Sequence, residues 1–485
     1  MRLRLVLALL AISGVALVAS GCGQKQAPAG AVPPSAAAAP ADTLAFVSVD
    51  TDLGSDQWQN AQALVDLFPS LREKLTEEID EALEKEGVSW KDDIEPGLGP
   101  EIVVVAMTES QVVALLQPRD SVKLDKLLAI DDEPLVKRAV GDWTAVAEDQ
   151  GDIDAYVAAL GRGTLDTVDT FTTAWGRLPD QALVKGWVDG ARLTKELQGL
   201  ADRAGELGAA LSADGKNAGL DLGLDSIAFA LAARADGPFL SVDVRGPELG
   251  NGTEYEPRLF THVPGDAVAA LSFGGTQGVV DRVRGPLEDL SDMVDSAIGV
   301  SLDRVLRAFS GEGVLYVRRG TGDLPEVSLV LAPPDVDEAF GTIDTMMRKL
   351  AAEADGTVAT TDVDGVAVTR VEFQGVPVLY GLLDDDSIIV TLGPDAISAY
   401  RGSTERLVDT AAFERAAEAV ELGDTTSGFI YVDLDALIPL ITDLSGPDTV
   451  PADARDVLGK LDSFILHSST DENGMQVSGF VRVNK

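Results

Sequence analysis

Very few residues of this chain can do chemistry beyond carboxylate work. It has one cysteine, Cys22, and two histidines, His262 and His467, among 485 residues. With so few thiol and imidazole groups, a zinc or iron site of the usual ligand type is not expected. No Gly-x-Ser-x-Gly elbow, Ser-x-x-Lys pair, phosphate-cradling glycine loop or dinucleotide fingerprint occurs. The 80 acidic residues make some close carboxylate pair inevitable, so no particular pair is marked out as an acid/base couple. Asp384-Asp385-Asp386 and Asp362-Val363-Asp364-Gly365 are the densest acidic runs, and both read as hairpin turns rather than calcium loops. His262 and His467 read as structural histidines. The expectation is therefore no catalytic residue, no cofactor and no metal ligand.

Cys22 carries a different message. Arg2 and Arg4 precede an apolar run, Leu5 to Val18, interrupted only by Ser13 and Gly14. Ala19-Ser20-Gly21-Cys22 then supplies small residues ending in the thiol, the layout of a secretory signal. It resembles the bacterial lipobox, whose cysteine is diacylated, for instance with palmitate, and becomes the first mature residue. The apolar run is shorter than the roughly 20 residues of a spanning helix. Residues 1–21 are thus expected to be a lipoprotein signal peptide. Cys22 would be the lipidation site, holding the protein on the extracytoplasmic side of the cell membrane. An acylated Cys22 leaves no thiol for a disulfide, so the folded part must rely on packing.

The formal charge is −42, and removal of the signal leaves 36 basic against 80 acidic side chains, or −44. Such a surface repels nucleic acid and anionic lipid. It keeps an exported protein soluble; cation-rich surroundings or a cationic partner are the functional alternative.

Residues 22–41, rich in Pro and Ala, read as a tether that lifts the folded part off the bilayer. Beyond it the chain repeats one pattern. Pro40-Ala41-Asp42 with Ala45 and Ser48 returns as Pro264-Gly265-Asp266 with Ala269 and Ser272; Trp187-Val188-Asp189 returns as Tyr431-Val432-Asp433. Ordered landmarks of this kind point to a duplication, with a first module over residues 42–248, a linker over 249–263 and a second module over 264–485. Within the first, adjacent alternating segments read as hairpins: 102–106 with 112–116, 135–140 with 143–147, and 227–233 with 239–244. Residues 368–373, 378–383 and 387–392 read as a meander. Trp58, Ala61, Leu64, Val65 and Phe68 share a helical face that Leu71, Leu75, Ile79 and Leu83 extend past Pro69. The expected fold class is α+β: a tandem duplication of two similar modules, each a mainly antiparallel sheet with helices packed on one side.

All five tryptophans, Trp58, Trp90, Trp143, Trp175 and Trp187, fall in the first copy; Leu302 and Ser387 stand where the second would carry Trp90 and Trp143. They read as core, or alternatively as the lining of an apolar groove for a ligand. The Pro40–Asp50 start, the Trp58 to Pro69 helix and the two-copy length resemble the bacterial, largely actinobacterial, exported proteins catalogued as domain of unknown function 3352. That resemblance implies an envelope lipoprotein and supplies no catalytic residues. The expectation is a membrane-anchored extracytoplasmic lipoprotein with a non-enzymatic binding or scaffolding role in the cell envelope. Its partners would be the cytoplasmic membrane, through acylated Cys22, and an envelope protein, with no nucleic acid. The alternatives are a carrier or sensor of an apolar or lipid ligand, and a carboxylate-dependent hydrolase.

Overall fold

The computed structural model describes residues 31–130, 135–203, 223–247, 249, 254–274, 299–320, 324–373, 375–393, 395–446 and 451–484. The signal segment and Cys22 lie outside them. The chain divides into two compact units, the first running to Gly250 with Glu472–Gln476, the second comprising Asn251–Asp471 and Val477–Asn484.

The first unit is built on β1 (Ala45–Asp50), β2 (Glu101–Ala106), β3 (Val112–Leu116), β4 (Val136–Val140), β5 (Trp143–Ala147), β6 (Val184–Asp189), β7 (Ser226–Arg234) and β8 (Gly237–Arg245). Every pairing is antiparallel, and the strands lie in the order β4-β5-β3-β2-β1-β6-β7-β8. The three expected hairpins are present. β1 takes the central place because its alternating residues, with Phe46 fully buried, present one face to the main core.

That core is covered by the Gln150–Leu160 and Asp169–Trp175 helices and contains Phe46, Val103, Val105, Leu115, Tyr156 and Trp187. Helices were expected on one side only. In fact Ile102, Val104, Leu116 and Val146 form a second core on the other face, closed by Leu124 of the Ser121–Leu128 helix. The reason is visible in β2, where Ile102-Val103-Val104-Val105 is apolar without alternation, the pattern of a strand buried on both faces. Asp120 and Asp149 start the flanking helices by accepting from backbone N–H groups of the first turn, each cap worth about 1 kcal/mol.

Two expectations are corrected. Within the stretch read as tether, Pro34–Ala38 forms a 3-10 helix, and Ala36, Ala38 and Ala39 join the main core. Small side chains let this segment approach the core closely, so composition suggesting a spacer conceals packing. The apolar stripe expected along the Pro69–Glu86 helix is buried only at Ile79, with Leu71 exposed.

The second unit contains β9 (Ala267–Phe273), β10 (Glu312–Arg318), β11 (Glu326–Ala332), β12 (Thr357–Val363), β13 (Val366–Phe373), β14 (Val376–Asp384), β15 (Ser387–Thr391), β16 (Gly428–Asp433), β17 (Leu461–Asp471) and β18 (Gly474–Val483). Its antiparallel order is β12-β13-β14-β15-β11-β10-β9-β16-β17. From β14 to β17 this repeats the order β4 to β7 of the first unit, with the β12–β13 hairpin added outside. Register agrees as well: Ser48 faces Val103 and Lys185 across the first sheet, and Ser272 faces Val314 and Phe429 across the second. Asp364-Gly365 and Asp385-Asp386 are hairpin turns. Residues 249–263 are not simply a linker: Tyr255 bridges Thr426, Leu259–His262 is a 3-10 helix, and Phe260 and Val263 are buried in the second unit.

Candidate functional site

Each unit secures a 3-10 segment ahead of its central strand in the same way. In the first, the Tyr156 hydroxyl donates to the Ala38 carbonyl and Leu165 N–H donates to Ala39 at 2.9 Å. In the second, the Tyr400 hydroxyl donates to the Leu259 carbonyl at 2.8 Å and Leu407 N–H donates to Val263 at 2.9 Å. A glutamate at the start of the second strand of each unit holds the segment. Glu101 accepts from Ser35 Oγ at 3.0 Å and Ser48 Oγ at 2.6 Å; Glu312 accepts from Leu259 N–H at 2.6 Å, with Arg258 Nε 3.7 Å from its other oxygen. Burial raises the pKa of both carboxyls, against the lowering effect of these donors.

Next to this shared frame the two units differ. In the first, Phe171 meets Phe46 at 5.5 Å, Trp175 at 5.2 Å and Trp187 at 5.5 Å between ring centroids. The Lys185 ammonium lies 4.6 Å from the centre of the Trp175 ring. Burial pushes the Lys185 pKa down to about 8, while the charge of Asp180 works in the opposite direction.

Register and helix position identify the corresponding residues of the second unit. Phe413 stands for Phe171, Ala417 for Trp175, Tyr431 for Trp187, Phe429 for Lys185, Ala270 for Phe46 and Phe260 for Ala36. Phe260 packs edge-on to Phe429 at 4.6 Å and lies 5.0 Å from Phe413. The indole of Trp175 has no equivalent. A cavity of about 730 Å³ occurs here, lined by Phe260, Phe413, Ala417, Leu422 and Phe429, with Glu256, Arg258, His262 and Asp424 also on its wall. A second cavity of about 390 Å³ shares Arg258 and His262 and contains Glu312, Tyr400, Arg401 and Asp384. An apolar floor with a few charged groups around it is the usual composition of a small-molecule site.

The histidines take different places. His262, exposed, is in the walls of both cavities and lies 5.7 Å from the Tyr400 ring. His467 is buried in β17 opposite Phe429; burial lowers its pKa against the effect of the Val420 carbonyl, and Nε2 has no hydrogen-bond partner. The five tryptophans are 1–8 % exposed and fill the first unit, so the groove contemplated for them is not formed by them. The carboxylate pair that composition could not single out is Asp50 with Glu101, direct partners across β1 and β2. Burial raises the Asp50 pKa to about 6, although Ser55 and the Asp52 N–H donate to its carboxylate. Among the described residues, no cluster of three or more His, Cys, Asp and Glu is placed to hold a metal, and no helix is long and apolar enough to cross a membrane.

Residues 3–130 match the family described as "Protein of unknown function (DUF3352)". The match includes the Pro40–Asp50 start and the Trp58 to Pro69 helix that carry the sequence resemblance. No curated protein matches the chain. Among solved structures, crystal form III of TP0453 is similar at 14% identity, with 46% of this chain and 78% of that chain covered and a TM-score of 0.26. Crystal form IV of the same protein gives 14% identity, 46% and 79% coverage and a TM-score of 0.25.

Proposed function

We propose that this protein is a non-enzymatic binding lipoprotein, anchored through acylated Cys22 on the extracytoplasmic face of the cell membrane, with the second unit as its binding unit. The observation that carries the reading is the cavity at Ala417, in the place that Trp175 occupies in the first unit. The first unit then serves as the packed, membrane-proximal body, and the lipobox-like Ala19–Cys22 supports the anchor. The two units descend from one ancestral module by duplication; the common strand order and the paired Tyr156/Tyr400 and Glu101/Glu312 contacts support this.

Native mass spectrometry of the full chain, extracted from membranes of its host, tests the reading. The expected spectrum shows a chain beginning at an acylated Cys22 and a noncovalently bound small molecule. A Cys22→Ser variant is expected in the soluble fraction. An unacylated wild-type chain overturns the anchor, and a consistently empty chain overturns the binding role.

A further inference from the structure

The first unit contains a three-part arrangement within its own fold: the Trp175 ring, the Lys185 ammonium above it, and the Asp180 carboxylate acting on that ammonium. The second unit retains only the acid. Asp424 precedes Phe429 by the same five residues that separate Asp180 from Lys185, while Ala417 follows Phe413 as Trp175 follows Phe171. The ring and the cation have been removed, and the open volume lies between Ala417, Phe413, Phe429 and Asp424.

We propose that this cavity binds a small arylalkyl-ammonium compound, its aromatic ring beside Ala417, the counterpart of Trp175, and its ammonium facing Asp424. The inference rests on the reading of the second unit as the binding unit and gives that site its ligand class.

Four features favour a cation joined to a ring over an anion or a plain hydrocarbon. The Asp424 carboxylate is exposed on the cavity wall and has no pairing partner among the described residues. Glu256 adds a second negative charge to the wall, whereas the Arg258 guanidinium lies beside Glu312. Phe413 and Phe429 give the ammonium aromatic neighbours, to which cations are attracted. The formal charge of −42 also draws cations towards the protein.

Calorimetric titration of the full chain decides the matter with three probes: tryptamine, indole-3-propionate with the same ring and opposite charge, and butylamine with the cation but no ring. Tryptamine is expected to bind at least about tenfold more tightly than either of the others. Asp424→Asn should weaken it about five- to tenfold. Ala417→Trp, which installs the indole of the first unit, should abolish binding while leaving the circular dichroism spectrum unchanged. Absence of tryptamine binding, equal binding of indole-3-propionate, or unaltered affinity in folded Ala417→Trp overturns the proposal. Should Ala417→Trp fail to fold, unaltered affinity in Asp424→Asn overturns it. A bound molecule in the native mass spectrum without tryptamine binding removes the ligand class and leaves the binding role standing.

Discussion

The Asp169–Trp175 helix of the first unit ends on an indole that is 2 % exposed, and the Ala411–Ala419 helix of the second carries Ala417 at the corresponding position. One substitution of this size would ordinarily be offset by repacking. Here Phe260 and Phe429 do enter, from positions held by Ala36 and Lys185 in the first unit, yet a cavity of about 730 Å³ occurs beside them. The frame around it is alike: in both units a tyrosine hydroxyl donates to a carbonyl of the 3-10 segment, and a half-buried glutamate accepts a hydrogen bond from that segment. The difference shows that two units with the same strand order and like backbone anchors can carry different core fillings. The cavity lies at the position where the first unit packs an indole.

The sharpest way to break this comparison is to impose the second unit's residue on the first. Trp175→Ala removes an indole packed against Phe46 and Phe171 and leaves Lys185 without its aromatic surface. Loss of about 3–5 kcal/mol is expected for a buried Trp→Ala exchange, read from urea unfolding monitored by circular dichroism. A loss below about 1 kcal/mol would mean that the first unit tolerates the same void, and the contrast with Ala417 would lose its meaning.

A second test uses pH. Asp50 has no carboxylate counterpart in the second unit, where Gly274 follows β9 at that position. Its folded pKa of about 6 lies above the ordinary aspartate value of 3.8, so the native state binds more protons between those values. Stability should therefore fall as pH rises from about 4 to about 6, by up to ~3 kcal/mol for the full shift. Asp50→Asn should remove most of that slope while leaving the weaker contributions of Glu101 and Glu312, both also raised by burial. Unfolding titrations at pH 4, 5, 6 and 7 check it; an unchanged slope in Asp50→Asn would assign the effect elsewhere.

Much of the sheet was legible because its determinants are local. The hairpins follow from short alternating segments and turn chemistry such as Ala235-Asp236-Gly237, where Gly237 opens β8. What was hidden depends on partners distant in sequence. Ala36, Ala38 and Ala39 look like spacer until Tyr156 and Trp143 are brought alongside. Leu124 closes a second face that alternation alone did not require. The tryptophan asymmetry drew attention to Trp90 and Trp143, whereas the cavity of the second unit lies opposite Trp175 in the alignment of the two units. Trp90 and Trp143 stand out because their counterparts align without gaps, whereas Trp175 and Ala417 precede loops that differ by two residues in length before Lys185 and Phe429. Helix phase from Phe171 and Phe413 aligns the one end, and strand register opposite Ser48 and Ser272 the other.

The smallest expected effect concerns the cation that the first unit keeps and the second lacks. Lys185 is held down to about 8 from 10.5 by burial, with Asp180 only partly offsetting this. Lowering of a folded-state lysine pKa means that the unfolded chain binds more protons between about 8 and 10.5, so stability should rise with pH across that window. Lys185→Met retains the aliphatic stem over Trp175 and removes both the desolvation cost and the cation–π attraction. The desolvation cost of about 3 kcal/mol exceeds a cation–π attraction of about 1–2 kcal/mol, so stability at pH 7 should rise by about 1–2 kcal/mol, while the rise between pH 8 and 10 disappears. Unfolding midpoints at pH 7 and pH 10 check both parts. If Lys185→Met retains the alkaline rise, the ammonium over Trp175 is not the titrating group. Loss of several kcal/mol at pH 7 would instead make Lys185 a principal support of the indole.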